Sequence, residues 1–130
     1  MNNKFGSILL ISFISMFTIS SCGASEKTSV MEGLTDIVVQ GSKSEEENAF
    51  CKNFSLNEKQ AKVFFQRSKI IDAKMMHDKY DHLPCYVYGT LKHDSNTCTW
   101  EIRAGGTAFI QCPSKEYIIA CDNCDDILKD

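Results

Sequence analysis

The chain has 130 residues, seven of them Cys, two Pro and one Trp, with 14 Lys and Arg against 17 Asp and Glu for a formal charge of −3. That length holds one domain, and a mildly acidic chain without a basic block excludes nucleic acid as the expected partner. A core of this size is marginal by itself, so covalent staples are useful to it.

Met1–Lys4 is a short, weakly positive start, and the run from Ile8 to Ile19 is apolar apart from Ser12, Ser15 and Thr18. A membrane helix needs about 20 apolar residues to cross roughly 30 Å of hydrocarbon. The run is shorter than that, so residues 1–21 read as a secretory signal. It closes on Ile19-Ser20-Ser21-Cys22, which resembles the lipobox of bacterial lipoproteins: an aliphatic residue, two small residues, then Cys. The resemblance implies cleavage before Cys22, a diacylglyceryl group on its sulfur and a further acyl chain, palmitate in type, on its amine. Two or three chains anchor firmly where one does not, each buried methylene contributing about 0.8 kcal/mol. In lipoproteins of enteric-type bacteria, Gly rather than Asp after the Cys implies the outer membrane, here facing the periplasm. With Cys22 lipidated, Cys51, Cys85, Cys98, Cys112, Cys121 and Cys124 remain. An even number in an oxidising compartment reads as a disulfide framework.

Residues 22–48 read as a lipid-anchored tether rich in Ser, Gly and Glu. Within it, Val30, Met31, Leu34, Ile37 and Val38 form a one-sided stripe, Ser29 and Glu32 have capping-box spacing, and Gly41 is a stop, which predicts a short helix over 29–40. Gly33 and the β-branched Ile37-Val38-Val39 make an extended segment the alternative.

The rest, 49–130, is expected to fold as one α+β domain. Ser55 and Glu58 repeat the capping-box spacing and predict a helix over 56–67, with Ala61, Phe64 and Ser68 on one face. Asp72 caps a second helix over 73–79 carrying Met75 and Met76, read like the first stripe as core. From Leu83 the period changes to two. Tyr86–Tyr88, Thr97–Arg103, Thr107–Cys112 and Glu116–Cys121 read as four strands, separated by Asp94-Ser95-Asn96, Gly105-Gly106 and Pro113-Ser114-Lys115. A three-residue loop at Ala104-Gly105-Gly106 sets Cys98 opposite Cys112, Trp100 opposite Ile110 and Ile102 opposite Ala108, an all-apolar face. A two-residue loop would mix the faces, and register is set strongly when one face is buried. The expected architecture is a small antiparallel sheet of about four strands with N-terminal helices on one face, stapled by disulfides.

Cys121-Asp122-Asn123-Cys124 is the most reactive-looking motif. A CxxC pair after a strand resembles thioredoxin-like enzymes, but Asp122, Asp125 and Asp126 disfavour a thiolate, and the chain after Cys124 is too short for the rest of that fold. The pair closes on itself, or each Cys reaches Cys51 or Cys85. Zinc would need four thiolates that export favours oxidising, and no second CxxC exists. His77-Asp78-Lys79-Tyr80-Asp81-His82 gathers two imidazoles and two carboxylates, which reads as a solvated helix end rather than a metal or general-base site. His93 sits in a turn. No catalytic residue, metal site or cofactor is expected.

Tyr86, Tyr88, Glu101, Arg103 and Phe109 share the other face of the sheet. Aromatics and Arg are enriched in protein interfaces, so this is the candidate binding face; the alternative is that the 30–40 segment covers it. As surface groups, Glu101 and Arg103 are expected to tolerate charge reversal without loss of thermal stability. These features point to a cell-envelope lipoprotein acting as a small protein-binding module, as immunity proteins and inhibitors do. The alternatives are a structural or assembly lipoprotein of an envelope complex, and a thiol–disulfide oxidoreductase using Cys121 and Cys124. The expected partners are the membrane, through the lipid, and an envelope protein.

Overall fold

The computed structural model describes residues 29–129. The signal sequence over 1–21 and the lipidation site Cys22 lie outside the described residues.

The fold is α+β, built on one antiparallel sheet of six strands: β1 (Leu34–Ser44), β2 (Lys69–Ile71), β3 (Cys85–His93), β4 (Asn96–Arg103), β5 (Thr107–Gln111) and β6 (Glu116–Ala120). Their order across the sheet is β1-β3-β4-β5-β6-β2. The helices are α1 (Ser29–Glu32), α2 (Glu58–Arg67), α3 (Ala73–Lys79) and α4 (Asp125–Leu128). The four strands from β3 to β6 are the meander that the period-two pattern predicts; β1 and β2 add an edge on either side.

The expected helix over 29–40 is corrected. It stops after one turn at Glu32, and the chain runs on as β1, antiparallel to β3. Gly33 breaks the turn and the β-branched run prefers the pleated edge of β3. The apolar residues divide by alternation, with Ile37 and Val39 facing the core and Val38 exposed. Gly41, read as a helix stop, lies in the strand against Tyr88. The sheet therefore begins ahead of residue 49, within the segment expected to be tether.

Turn chemistry fixes the meander. Asp94 and Ser95 join β3 to β4 with φ of 48° and 68°, the two-residue turn whose twist matches the strands. Gly106, at φ 92°, closes the three-residue loop between β4 and β5. Trp100 pairs with Ile110 and Ile102 with Ala108, as the hydrophobic alternation demands. Gly89 is required by a close approach: a Cβ there would lie 1.8 Å from the Val38 carbonyl oxygen and 2.8 Å from the Trp100 ring.

One sheet face carries the core. Val87, Leu91, Trp100, Ile102, Ile110 and Ile119 are buried with Phe54, Phe64 and Phe65. Phe65 meets the Trp100 ring edge-on at 5.4 Å, and Trp100 Nε1 donates to the Thr90 carbonyl at 2.8 Å. The helix over this face is α2, and its cap is Asn57 rather than Ser55: Asn57 Oδ1 accepts from the Gln60 amide at 2.8 Å, and Gln60 Oε1 accepts from the Asn57 amide at 2.9 Å. The second helix begins at Asp72 as expected, but it has no buried residue and lies beside β6 instead of contributing core.

Three disulfides staple the fold. Cys51–Cys85 ties the loop before α2 to the start of β3, Cys98–Cys112 links β4 to the end of β5 with Cα atoms 4.4 Å apart, and Cys121–Cys124 closes on itself. The 4.4 Å spacing is that of a directly opposed, non-hydrogen-bonded pair.

Candidate binding face

Strand alternation gives the sheet a second face, which α3 borders beside β6, where Thr107, Ile71 and Ala120 are buried, and which is open across β1, β3 and β4. The register aligns Lys43, Tyr86 and Arg103 in one row, and Gly41, Tyr88, Glu101, Phe109 and Ile118 in the next. A third row holds Thr90, Thr99, Gln111 and Glu116. Residues of these rows line an open groove of about 500 Å³, all five residues expected on the binding face among them. The 34–44 segment extends the sheet beside them instead of covering them.

Arg103 holds one end of the groove together. Its Nη2 donates to Glu45 Oε1 at 2.8 Å and to Glu101 Oε1 at 3.1 Å, Nε donates to the same Glu101 oxygen at 3.2 Å, and Nη1 donates to the Leu83 carbonyl at 3.1 Å. His82 Nε2 lies 3.3 Å from Nη1, and the guanidinium sits over the Tyr86 ring at 5.1 Å. Burial pulls the Arg103 pKa down, but the hydrogen bonds and charges of Glu45 and Glu101 outweigh it and the net shift is upward. The Arg103 hydrogen bond holds the Glu45 carboxyl below its ordinary range. Only 6% of Arg103 is exposed, so the expectation that it behaves as a free surface charge is corrected. Its partners come from the residue that follows β1, Glu45, and from the segment just ahead of β3, Leu83, which alternation alone does not reveal.

Tyr86, Tyr88 and Phe109 are half-buried, their rings forming the floor. The Tyr86 and Tyr88 rings lie 6.3 Å apart, and Lys43 Nζ sits 4.9 Å above the Tyr88 ring. Gln40, Lys43, His82 and Glu116 line the groove but were not expected there, whereas Gln111 falls on this face by the hairpin's alternation. Glu116 was legible, because it alternates with Ile118 on the strand facing Phe109. Gln40 and Lys43 were not, because they lie in the segment read as tether.

The other candidate motifs serve the framework. Cys121 is 5% exposed and Cys124 fully buried. The loop between them is pinned: Asp122 accepts from Tyr80 Oη at 2.6 Å and pairs with Lys69, while Arg67 donates to the Asn123 carbonyl and to Asp126. Lys69 first, then Tyr80, hold Asp122 below the ordinary carboxylate range; Asp122 raises both of theirs. His77, Tyr80, Asp81 and His82 of the 77–82 cluster line a shared cleft, and His77 Nδ1 lies 3.4 Å from Asp78 Oδ1, but the strongest pairings run elsewhere. Asp78 pairs with Lys74, Tyr80 turns to Asp122, and His82 turns to the Arg103 end of the groove. Among the described residues, no three His, Cys, Asp or Glu side chains converge as a metal site would require.

A second cleft, of about 350 Å³, lies between β1 and α2 and is lined by Met31, Leu34, Ile37 and Phe65 with Lys62 at its rim. Among the described residues, no helix is long and apolar enough to cross a membrane. Compared with protein-family models, with curated proteins and with solved structures, the chain matches none.

Proposed function

We propose that the mature protein is a lipid-anchored binding module of a bacterial cell envelope, immunity- or inhibitor-like in build, and that the open sheet face receives a partner protein. The observation that carries this reading is the groove itself. Its aromatic floor is backed by a disulfide-stapled core, and its charged end is held by Arg103, so the surface is ordered before a partner arrives. Preorganisation lowers the entropic cost of association. Aromatic side chains supply large contact area, and the polar rim of Gln40, Thr99 and Gln111 offers hydrogen bonds. The anchor rests on the lipobox resemblance, and the disulfides fit the oxidising compartment that export implies.

The test is site-specific photo-crosslinking in the native envelope. A photo-reactive phenylalanine in place of Tyr88 should give a discrete adduct with one envelope protein, and the same group in place of Lys59 on α2 should not. Adducts of equal yield from both positions, or none from position 88, would remove the sheet face as the binding surface. Intact mass of the extracted protein tests the anchor: a lipid-sized addition on Cys22 is expected, and a mature chain without one overturns that part of the reading.

A further inference from the structure

Resting on the binding-face reading, we propose that the groove takes an extended segment of the partner polypeptide carrying one acidic and one basic side chain about six or seven residues apart. The acidic side chain meets Lys43 and the basic one meets Glu116.

Charge placement carries this assignment. Arg103 and Glu101 also line the groove, but Arg103 is already paired with both Glu101 and Glu45, which leaves that end net acidic with its one guanidinium engaged. Lys43 and Glu116 are exposed and have no ion-pair partner among the described residues. They stand at opposite corners. Lys43 lies on β1 in the row of Tyr86, and Glu116 lies on β6 in the row of Thr99 and Gln111. Four strand spacings and four residues of rise separate them, a diagonal of about 23 Å on a flat sheet. An extended peptide covers that distance in about six or seven residues. Between the corners, Tyr88 and Phe109 offer apolar contact to alternate side chains.

Other occupants fit less well. A neutral sugar leaves both unpaired charges unused, and a polyanion is repelled by Glu101 and Glu116. A second copy of the chain could set Lys43 of one molecule against Glu116 of the other, so self-association is one of the outcomes to be measured.

The experiment is selection of random dodecapeptides displayed on phage against the intact, oxidised protein. The enriched peptides should share an acidic and a basic residue at the stated separation. Lys43→Glu and Glu116→Lys should each weaken a selected synthetic peptide by about fivefold. The double exchange should bind the peptide with its two charges interchanged as tightly as the native protein binds the original. Lys59→Glu, on α2, should change nothing. Peptides whose binding is lost with Phe109→Ala but indifferent to both charge variants would overturn this inference and leave the binding face standing. If no Phe109-dependent peptide is enriched, and an oligosaccharide panel binds or the protein self-associates in sedimentation, both readings fall.

Discussion

Arg103 and Glu45 meet at 2.8 Å across 58 positions of sequence, joining the end of β4 to the residue that follows β1. The same guanidinium reaches the Leu83 carbonyl, so one side chain fastens three segments at the end of the sheet. Removing it leaves Glu45, Glu101 and that carbonyl without their donor. Arg103→Met is therefore expected to lower unfolding free energy by about 2–4 kcal/mol, read from urea denaturation. A change under about 0.5 kcal/mol, typical of a surface site, would show the clamp to be dispensable. Glu101→Lys with Arg103→Glu is expected to destabilise too, and does not serve as a binding probe.

The pH dependence follows from the same pairs. Glu45 and Asp122 are held below their ordinary ranges by Arg103 and by Lys69 with Tyr80. Their stabilising contribution is present above about pH 4 and is lost as pH falls through the depressed folded values. Lys69 and Tyr80 are raised, chiefly by Asp122, so their contribution is present below about pH 10 and is lost as pH rises through the raised values. Thermal unfolding should show a plateau between about pH 5 and pH 9. Asp122→Asn should shrink the decline at both ends, and a variant whose two limbs match the native profile would contradict the pairing.

The disulfides should rank by the loop each closes. In the chain-entropy description, losing Cys51–Cys85 costs about 4 kcal/mol, Cys98–Cys112 about 3 and Cys121–Cys124 about 2. Paired Cys→Ala variants compared by denaturant midpoint check this order. A larger loss at Cys121–Cys124 than at Cys51–Cys85 would mean that the short bridge acts by holding the Asp122 and Asn123 contacts in the folded state.

Gly89→Ala brings a methyl group 1.8 Å from the Val38 carbonyl oxygen, so β1 must move away from β3. The expected cost is about 3 kcal/mol, with faster hydrogen exchange across 34–44. Gly41→Ala meets only the Tyr88 hydroxyl end, at 3.1 Å, and should be tolerated far better. Equal effects at the two positions would argue against the close approach at Gly89.

Helix capping gives a sharp contrast. Asn57→Ala should lower stability by about 1 kcal/mol and Ser55→Ala should scarcely change it, because only Asn57 exchanges hydrogen bonds with Gln60. Thermal melts of the two variants decide between them.

Much local chemistry was readable where a residue's neighbours in sequence are its neighbours in space, although at α2 two overlapping capping patterns, Ser55 with Glu58 and Asn57 with Gln60, competed and the second forms. The pairing of Trp100 with Ile110 follows from alternation and the Gly106 turn, and the start of α3 follows from Asp72. β1 was opaque because Val30, Met31, Leu34, Ile37 and Val38 satisfy a helical stripe, and the partner that settles the matter, β3, lies some fifty positions away. The candidate face was legible for Tyr86, Tyr88 and Phe109 for the same local reason. Arg103 belongs to that face by alternation, yet its burial is imposed by Glu45 and Leu83, which no periodicity connects to it.

On the proposed anchoring, the start of the fold ahead of Leu34 also bounds how far the domain stands from the lipid. With the proposed anchor at Cys22, the residues ahead of Ser29 span at most about 20–25 Å when fully extended, where a tether reaching to residue 48 would span several times that. Such a module stays within roughly its own diameter of the lipid headgroups, so it samples a thin layer of the compartment. A partner that itself resides at the membrane surface then meets it at a far higher local concentration than one free in solution.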